Sequence, residues 1–260
     1  MQTISPVTET THLTAPKLLD DNAAVAMVAE RPELTWEIVW AKTDVSAHVR
    51  RHLLRVYMTL GCMLLFAALG VVLDLIWPVH PAITGLAIAM PLMLLIAYTS
   101  PELVVLRVSG AMLLATALGA SIGGTVQHAL SVDSSLVGVA FGCTMLIFVV
   151  MSLCAYCATR RSALFLYGFL VSALLVLLAV GIANIFIQSK LLVWLGLYVG
   201  LVLFSIFVIV DTQLIIERIM FGEDDFVEHA LDLFTDIVGI FVRLLTLLSS
   251  DDDDDDDDDE

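Results

Sequence analysis

Ser162-Ala-Leu-Phe-Leu-Tyr-Gly-Phe-Leu-Val-Ser-Ala-Leu-Leu-Val-Leu-Leu-Ala-Val-Gly-Ile-Ala-Asn-Ile-Phe-Ile187 runs from end to end without a charged side chain. A helix needs about 20 apolar residues to cross roughly 30 Å of hydrocarbon, and this stretch exceeds that. Similar runs recur on both sides of it. They predict helices near 53–77, 82–99, 103–124, 134–158, 162–187, 191–216 and 229–248. The breaks between them carry helix-ending chemistry: Trp77-Pro78-Val-His80-Pro81, Ser100-Pro101-Glu102, Thr159-Arg160-Arg161-Ser162 and Phe221-Gly222-Glu-Asp-Asp225. Pro91 is expected to kink the second helix, which neighbouring helices can accommodate. The fold class is therefore all-α, a polytopic membrane bundle of about seven transmembrane helices.

Composition points the same way. Hydrophobic residues make up 59% of the chain and charged residues 15%, against about 45–50% and about 25% in soluble domains. The net charge of −16 is mostly local, because Asp251 to Asp259 and Glu260 supply ten acids. The remaining 250 residues carry 18 acids and 12 bases, so a basic nucleic-acid-binding surface is not expected. Cys154-Ala-Tyr-Cys157 has redox or metal spacing, but no second pair or histidine cluster accompanies it. The four cysteines therefore read as small helix-packing residues, and no cofactor is expected.

Three regions follow. Residues 1–45 form a polar N-terminal tail without a secretory signal pattern. Within it, Pro32 to Trp40 is either an interfacial helix with Trp36 and Trp40 at headgroup depth or part of the tail. Residues 46–248 are the transmembrane domain, and 249–260 an acidic tail expected to be disordered. Lys42, Arg50, Arg51, Arg55, Arg107, Arg160, Arg161 and Arg218 fall on one side by alternation and only Lys190 on the other. The bias of Lys and Arg toward the cytosol puts the N-terminus there. Seven full crossings send the acidic tail to the far side, whereas a half-inserted last segment returns it. Gly119 with Gly123, Gly138 with Gly142 and Gly196 with Gly200 have the four-residue spacing that lets helix backbones approach closely in lipid.

Charges within the helices are costly and need a reason, about 2.5–3.5 kcal/mol each by insertion scales. Asp74, Glu102 and Arg107 lie near helix ends. Arg107 is the deepest, and either snorkels to the interface or pairs with an acid inside the bundle. Asp211 follows the apolar run Val202-Leu-Phe-Ser-Ile-Phe-Val-Ile-Val210. In the seventh segment Asp232, Asp236 and Arg243 share one face, since at about 100° per residue the latter two lie about 40° and about 20° from the first. An antiparallel pair of helices joined by a short acidic loop can bring Asp211 to Asp236. Close carboxylates in a low-dielectric site cannot easily both ionise, so such a pair shares a proton. Doubly ionised, it attracts a hard cation such as calcium, which takes oxygen ligands. Alternatively, the aspartates pair with Arg243 or Arg218 and are structural.

The same residues carry a likeness. Leu197-Tyr-Val-Gly-Leu-Val, Val210-Asp-Thr-Gln-Leu-Ile-Ile-Glu217, Phe221-Gly-Glu-Asp-Asp-Phe-Val-Glu-His229 and His229-Ala-Leu-Asp-Leu-Phe-Thr-Asp-Ile-Val-Gly-Ile-Phe-Val-Arg-Leu-Leu245 resemble the Bax inhibitor-1 family. His52-Leu-Leu-Arg-Val-Tyr57 and Ala158-Thr-Arg-Arg-Ser162 extend the resemblance, which covers roughly residues 45–248. It implies a multi-pass protein of the endoplasmic reticulum that suppresses programmed cell death and permits a pH-sensitive calcium leak. The family's paired aspartates correspond to Asp211 and Asp236, with Asp232 a third carboxylate one turn earlier. Eukaryotic members often end in a basic tail, whereas this chain ends in acids, so the role of that tail is not carried over.

Three alternatives stand beside the leak. The carboxylates could serve a proton-coupled ion exchanger, or the bundle could be a scaffold that binds cell-death regulators. Paired membrane aspartates also occur in intramembrane aspartyl proteases, but those resemble Tyr-Asp and Gly-x-Gly-Asp contexts. Here the aspartates follow Val210 and Thr235, and an enzyme is not expected.

Overall fold

The computed structural model describes residues 47–77, 81–157, 162–223 and 225–256, and those residues are helical apart from short connections. The expectations for residues 1–45, including Trp36 and Trp40, lie outside the described residues. The helices are α1 (Ala47–Ile76), α2 (Pro81–Tyr98), α3 (Val104–Ser121), α4 (Gly123–Val132), α5 (Leu136–Cys157), α6 (Ser162–Ile187), α7 (Lys190–Met220) and α8 (Phe226–Asp256). Among the described residues, five helices are long and apolar enough to cross a membrane: α1, α3, α5, α6 and α7. A shorter apolar stretch, Ala87–Tyr98, lies in α2. Their outward side chains, such as Leu65, Val105, Phe169, Val176 and Phe186, are large and apolar. Water would penalise that surface and lipid does not.

Local chemistry sets the helix ends. Pro81 opens α2, where its missing N–H costs no intrahelical bond, and the helix continues through Pro91. Exposed Asp133 accepts a hydrogen bond from the Ser135 N–H at 2.8 Å just before α5. That bond and one from the Ser135 side chain hold its carboxyl below the ordinary carboxylate range. Between α6 and α7, Asn184 Oδ1 accepts from the Ser189 N–H at 2.9 Å. The α7 terminus closes with two bonds, Glu223 N–H to Arg218 O at 3.0 Å and Gly222 N–H to Ile219 O at 3.1 Å. This double closure places Gly222 at φ +90°, which disfavours any residue with a Cβ. The chain then reverses, and α8 returns along α7.

The expected helix over 103–124 is divided. α3 ends at Ser121, and a short α4 begins after Ile122, whose N–H bonds Gly119 O at 3.2 Å. Asp74 of α1 packs on the break. A Cβ on Gly123 would fall 2.1 Å from its Oδ2. The last helix also reaches Asp256, past the expected end at 248. The acidic run therefore continues α8 as far as that residue, and 257–260 lie outside the described residues.

α8 is the axis of the bundle. It packs against α7, α1, α5 and α4, and more lightly on α3. Ala230, Leu231, Leu233, Phe234 and Ile237 are all buried, and with buried His229 and Asp236 they cover more than half of the helix circumference. Around them lie Val56, Leu60 and Met63 of α1, Leu114 of α3, Phe148 of α5, and Val208 and Ile215 of α7. α6 is peripheral and packs principally on α7 through Leu170, Leu203, Phe207 and Val210.

Backbone approaches backbone most closely in a glycine seam between α1 and α3. A Cβ on Gly70 would lie 2.1 Å from Thr116 O, and one on Gly119 would lie 2.0 Å from Ala67 O. α1 and α3 thus exchange glycine-to-carbonyl contacts. Gly138 and Gly142 meet nothing within 4 Å, so that expected pair forms no helix contact. Cys62, Cys143 and Cys154 are exposed on outer faces and unbridged, rather than packed between helices as expected.

Candidate functional site: a carboxyl pair between the last two helices

Asp211 lies on α7 two turns before its end, and Asp236 lies in the third turn of α8. The antiparallel hairpin brings their carboxyl groups within hydrogen-bonding reach of each other. They retain only 9% and 3% of their exposure. Asp232, one turn earlier on α8, is half-buried and close enough for its charge to act on both Asp211 and Asp236. Asp236 Oδ2 has no hydrogen-bond partner among the described residues. Two ionised carboxylates about 4 Å apart repel by about 4 kcal/mol even at an effective dielectric of 20. A proton between them turns that repulsion into a hydrogen bond.

The three arginines named from sequence divide. Arg218, in the last turn of α7, acts electrostatically on Asp211 and Asp232. Its own ion pairs are with Glu228 at 3.1 Å and Glu223 at 3.8 Å. Arg243 makes no ion pair among the described residues, a correction to its expected role as partner of the aspartates. Its Nη1 donates to Gly239 O at 2.9 Å, and its guanidinium lies 4.4 Å over the Phe204 ring. Gly200 of α7 leaves the space it fills, since a Cβ there would fall 2.0 Å from Nε. The polar face of α8 therefore meets α7 along its length, but Arg243 lies seven residues from Asp236, about 10 Å along the axis.

Arg107 is buried at 5% exposure and forms an ion pair with Asp225 in the α7–α8 connection. Removing one member of such a pair strands the other. Arg107→Met is expected to cost about 3 kcal/mol, the lower end for a broken buried pair, because Asp225 keeps 20% exposure. Arg107→Met with Asp225→Leu should recover most of that loss. Thermal unfolding of the solubilised protein checks both, and a harmless single substitution would contradict the assignment.

Sequence reading missed one polar contact. His52 of α1 and His229 of α8 are both buried and meet at 3.1 Å, Nε2 to Nδ1. They are 177 positions apart in sequence, and each reads as an ordinary residue near a helix start. The only signal was that alternation puts both on the same side of the membrane. Gln213, beside Asp211, points instead to α5, where its Nε2 donates to Ala155 O at 3.3 Å.

The family model described as "Inhibitor of apoptosis-promoting Bax1" matches residues 49–253. Bax inhibitor 1 of Arabidopsis thaliana is 37% identical over 206 residues, covering 79% of this chain and 83% of that protein. Bax inhibitor 1 of Homo sapiens is 33% identical over 212 residues, covering 80% and 89%. Bax inhibitor 1 of Oryza sativa subsp. japonica is 35% identical over 207 residues, covering 79% and 82%. The match takes in every described helix, and with it the hairpin that holds Asp211 and Asp236: this multi-pass membrane chain belongs to the Bax inhibitor 1 family.

Proposed function

We propose that the protein is a pH-sensitive calcium leak pathway of the endoplasmic reticulum membrane, with its N-terminus in the cytosol. It lowers stored calcium and suppresses programmed cell death; the family description, inhibitor of apoptosis-promoting Bax1, supports the second of these. The observation that carries this reading is the buried Asp211–Asp236 pair at the centre of an apolar bundle. A buried charge pair of like sign is costly structural material, and its energy changes sharply with one proton. Asp232 adds a third oxygen-bearing group beside it.

Calcium is the cargo in this reading. A resident calcium site supplies about six to eight oxygens. Among the described residues no group of three or more His, Cys, Asp or Glu is arranged to hold a metal. Two or three carboxylates suit an ion in passage. No step requires a cofactor or a catalytic nucleophile, and cell-death regulator proteins are the proposed macromolecular partners.

The test is efflux from calcium-loaded liposomes between about pH 5 and about pH 8, a window in which imidazoles and close pairs of buried carboxyl groups can change charge. Efflux that depends on the protein and on pH supports the leak. Folded protein that releases no more calcium than empty liposomes sinks it, and leaves a non-conducting scaffold. Reciprocal proton movement coupled to each ion replaces leak by exchange.

A further inference from the structure

The polar face of α8 carries a charge that the carboxyl pair does not use. Arg243 lies about 20° around the helix from Asp232 and two turns beyond Asp236, about 10 Å along the axis. Its surroundings fix it there. Nη1 donates to Gly239 O at 2.9 Å. The guanidinium lies 4.4 Å over the Phe204 ring of α7, an attraction of a cation for the ring face. Gly200 of α7 leaves it room, because a Cβ at that position would fall 2.0 Å from Nε.

No acid forms an ion pair with Arg243 among the described residues, where the ion pairs belong to Arg107 and Arg218. A charge within a membrane helix ordinarily faces a counter-charge or reaches for the headgroups. Arg243 is held instead by a ring and a backbone carbonyl, against the neighbouring helix. A guanidinium does not lose its proton in a protein, so the charge is fixed. Acids stand on both sides of it along α8. Asp232 and Asp236 lie toward the start of the helix, and the run from Asp251 begins about 12 Å toward its end. A cation drawn along this face therefore meets attraction at both ends and repulsion between them.

We propose that Arg243 is a fixed-charge brake on the cation pathway, and that it slows divalent ions more than monovalent ones. The proposal rests on the leak reading given above, since a brake needs a flux. The carboxyl pair answers to a proton and Arg243 does not, so Arg243 sets how much passes at any pH. Coulomb energy is proportional to the charge of the passing ion, and the barrier for calcium is twice the barrier for potassium at the same place. At about 10 Å and an effective dielectric of 20, removing the charge should raise a monovalent rate about tenfold and a divalent rate about a hundredfold. The gain for calcium is thus the square of the gain for potassium. A bundle merely loosened by the substitution would pass more of both ions in like proportion.

The test compares initial efflux of calcium and of potassium from liposomes holding the full chain, at the pH of greatest wild-type flux. Arg243→Gln and Arg243→Met both remove the charge, and Met keeps an unbranched apolar chain against the Phe204 ring. Either variant that folds should raise calcium efflux about a hundredfold and potassium efflux about tenfold, as the Coulomb energies require. Arg243→Lys carries a fixed charge and should return the calcium-to-potassium ratio toward that of the wild type. Equal fold gains for the two ions in the neutral variants would mark a loosened bundle and overturn the proposal. Neutral variants whose calcium efflux matches a leaking wild type would also overturn it, while leaving the leak itself standing. Wild type and variants that all release neither ion would remove the leak reading, and the brake with it.

Discussion

Asp211→Asn and Asp236→Asn are each expected to give calcium efflux that no longer changes between about pH 5 and about pH 8. The plateau should match the acid limit of the wild type. The reason lies in what an amide supplies. Asn donates a hydrogen bond to the remaining carboxylate at every pH, so the pair stays as it is when it shares one proton. The repulsion that drives the change, about 4 kcal/mol for unit charges about 4 Å apart at an effective dielectric of 20, can no longer develop. That energy corresponds to nearly a thousandfold in an equilibrium, at about 1.4 kcal/mol per tenfold, so flattening should be plain in raw efflux traces. The comparison with Asp232→Asn is informative. Asp232 acts on the pair through space, so its neutralisation should shift the wild-type transition and leave its amplitude. Unchanged pH profiles in both Asp211→Asn and Asp236→Asn would remove the pair from any gating role.

The second large effect is on stability. Gly119→Leu should abolish the folded bundle or cost well over the roughly 1–3 kcal/mol typical of overpacking. Its first added atom would overlap the Ala67 carbonyl oxygen at 2.0 Å. A backbone oxygen cannot rotate away as a side chain can, so α1 and α3 must separate. Separation also breaks the reciprocal seat of Gly70 on Thr116. Gly138→Ala and Gly142→Ala meet open space and should be neutral or gain up to about 1 kcal/mol from improved helix propensity. Thermal unfolding in one detergent ranks the variants. Similar losses at all three positions would show that spacing, rather than the seam, governs tolerance.

That contrast also marks how much could be read beforehand. The all-helical membrane bundle was legible, because long uncharged runs in lipid have few other ways to satisfy their backbones; the described residues form eight helices, five of them long and apolar enough to cross. The division at Ile122 was not, since it depends on the Asp74 carboxyl of α1 packing against Gly123. Asp211 and Asp236 stood out as charges in apolar helices, and the short acidic connection made their approach foreseeable. The placement of Arg243 depended on the room left by Gly200 and on the Phe204 ring. A residue's face on its own helix is periodic and can be counted. Which residue stands opposite depends on the axial register of two helices, and a single helix does not encode that. The same limit concealed His52 and His229, whose meeting requires α1 beside α8.

The order of synthesis gives the central helix a further meaning. α8 is made after the other described helices, yet α1, α4, α5 and α7 all rest on it. Until it arrives, Val56, Met63, Leu114, Val208 and Ile215 lack the partners that bury them. The nascent chain can seat α1 and α2 on α3 early, but the core around Phe234 cannot close until α8 arrives. Closure of the core therefore waits for the segment that also brings Asp236. A chain cut short before residue 226 would lack both its keystone and half of its carboxyl pair, and would offer membrane quality-control proteases an open groove.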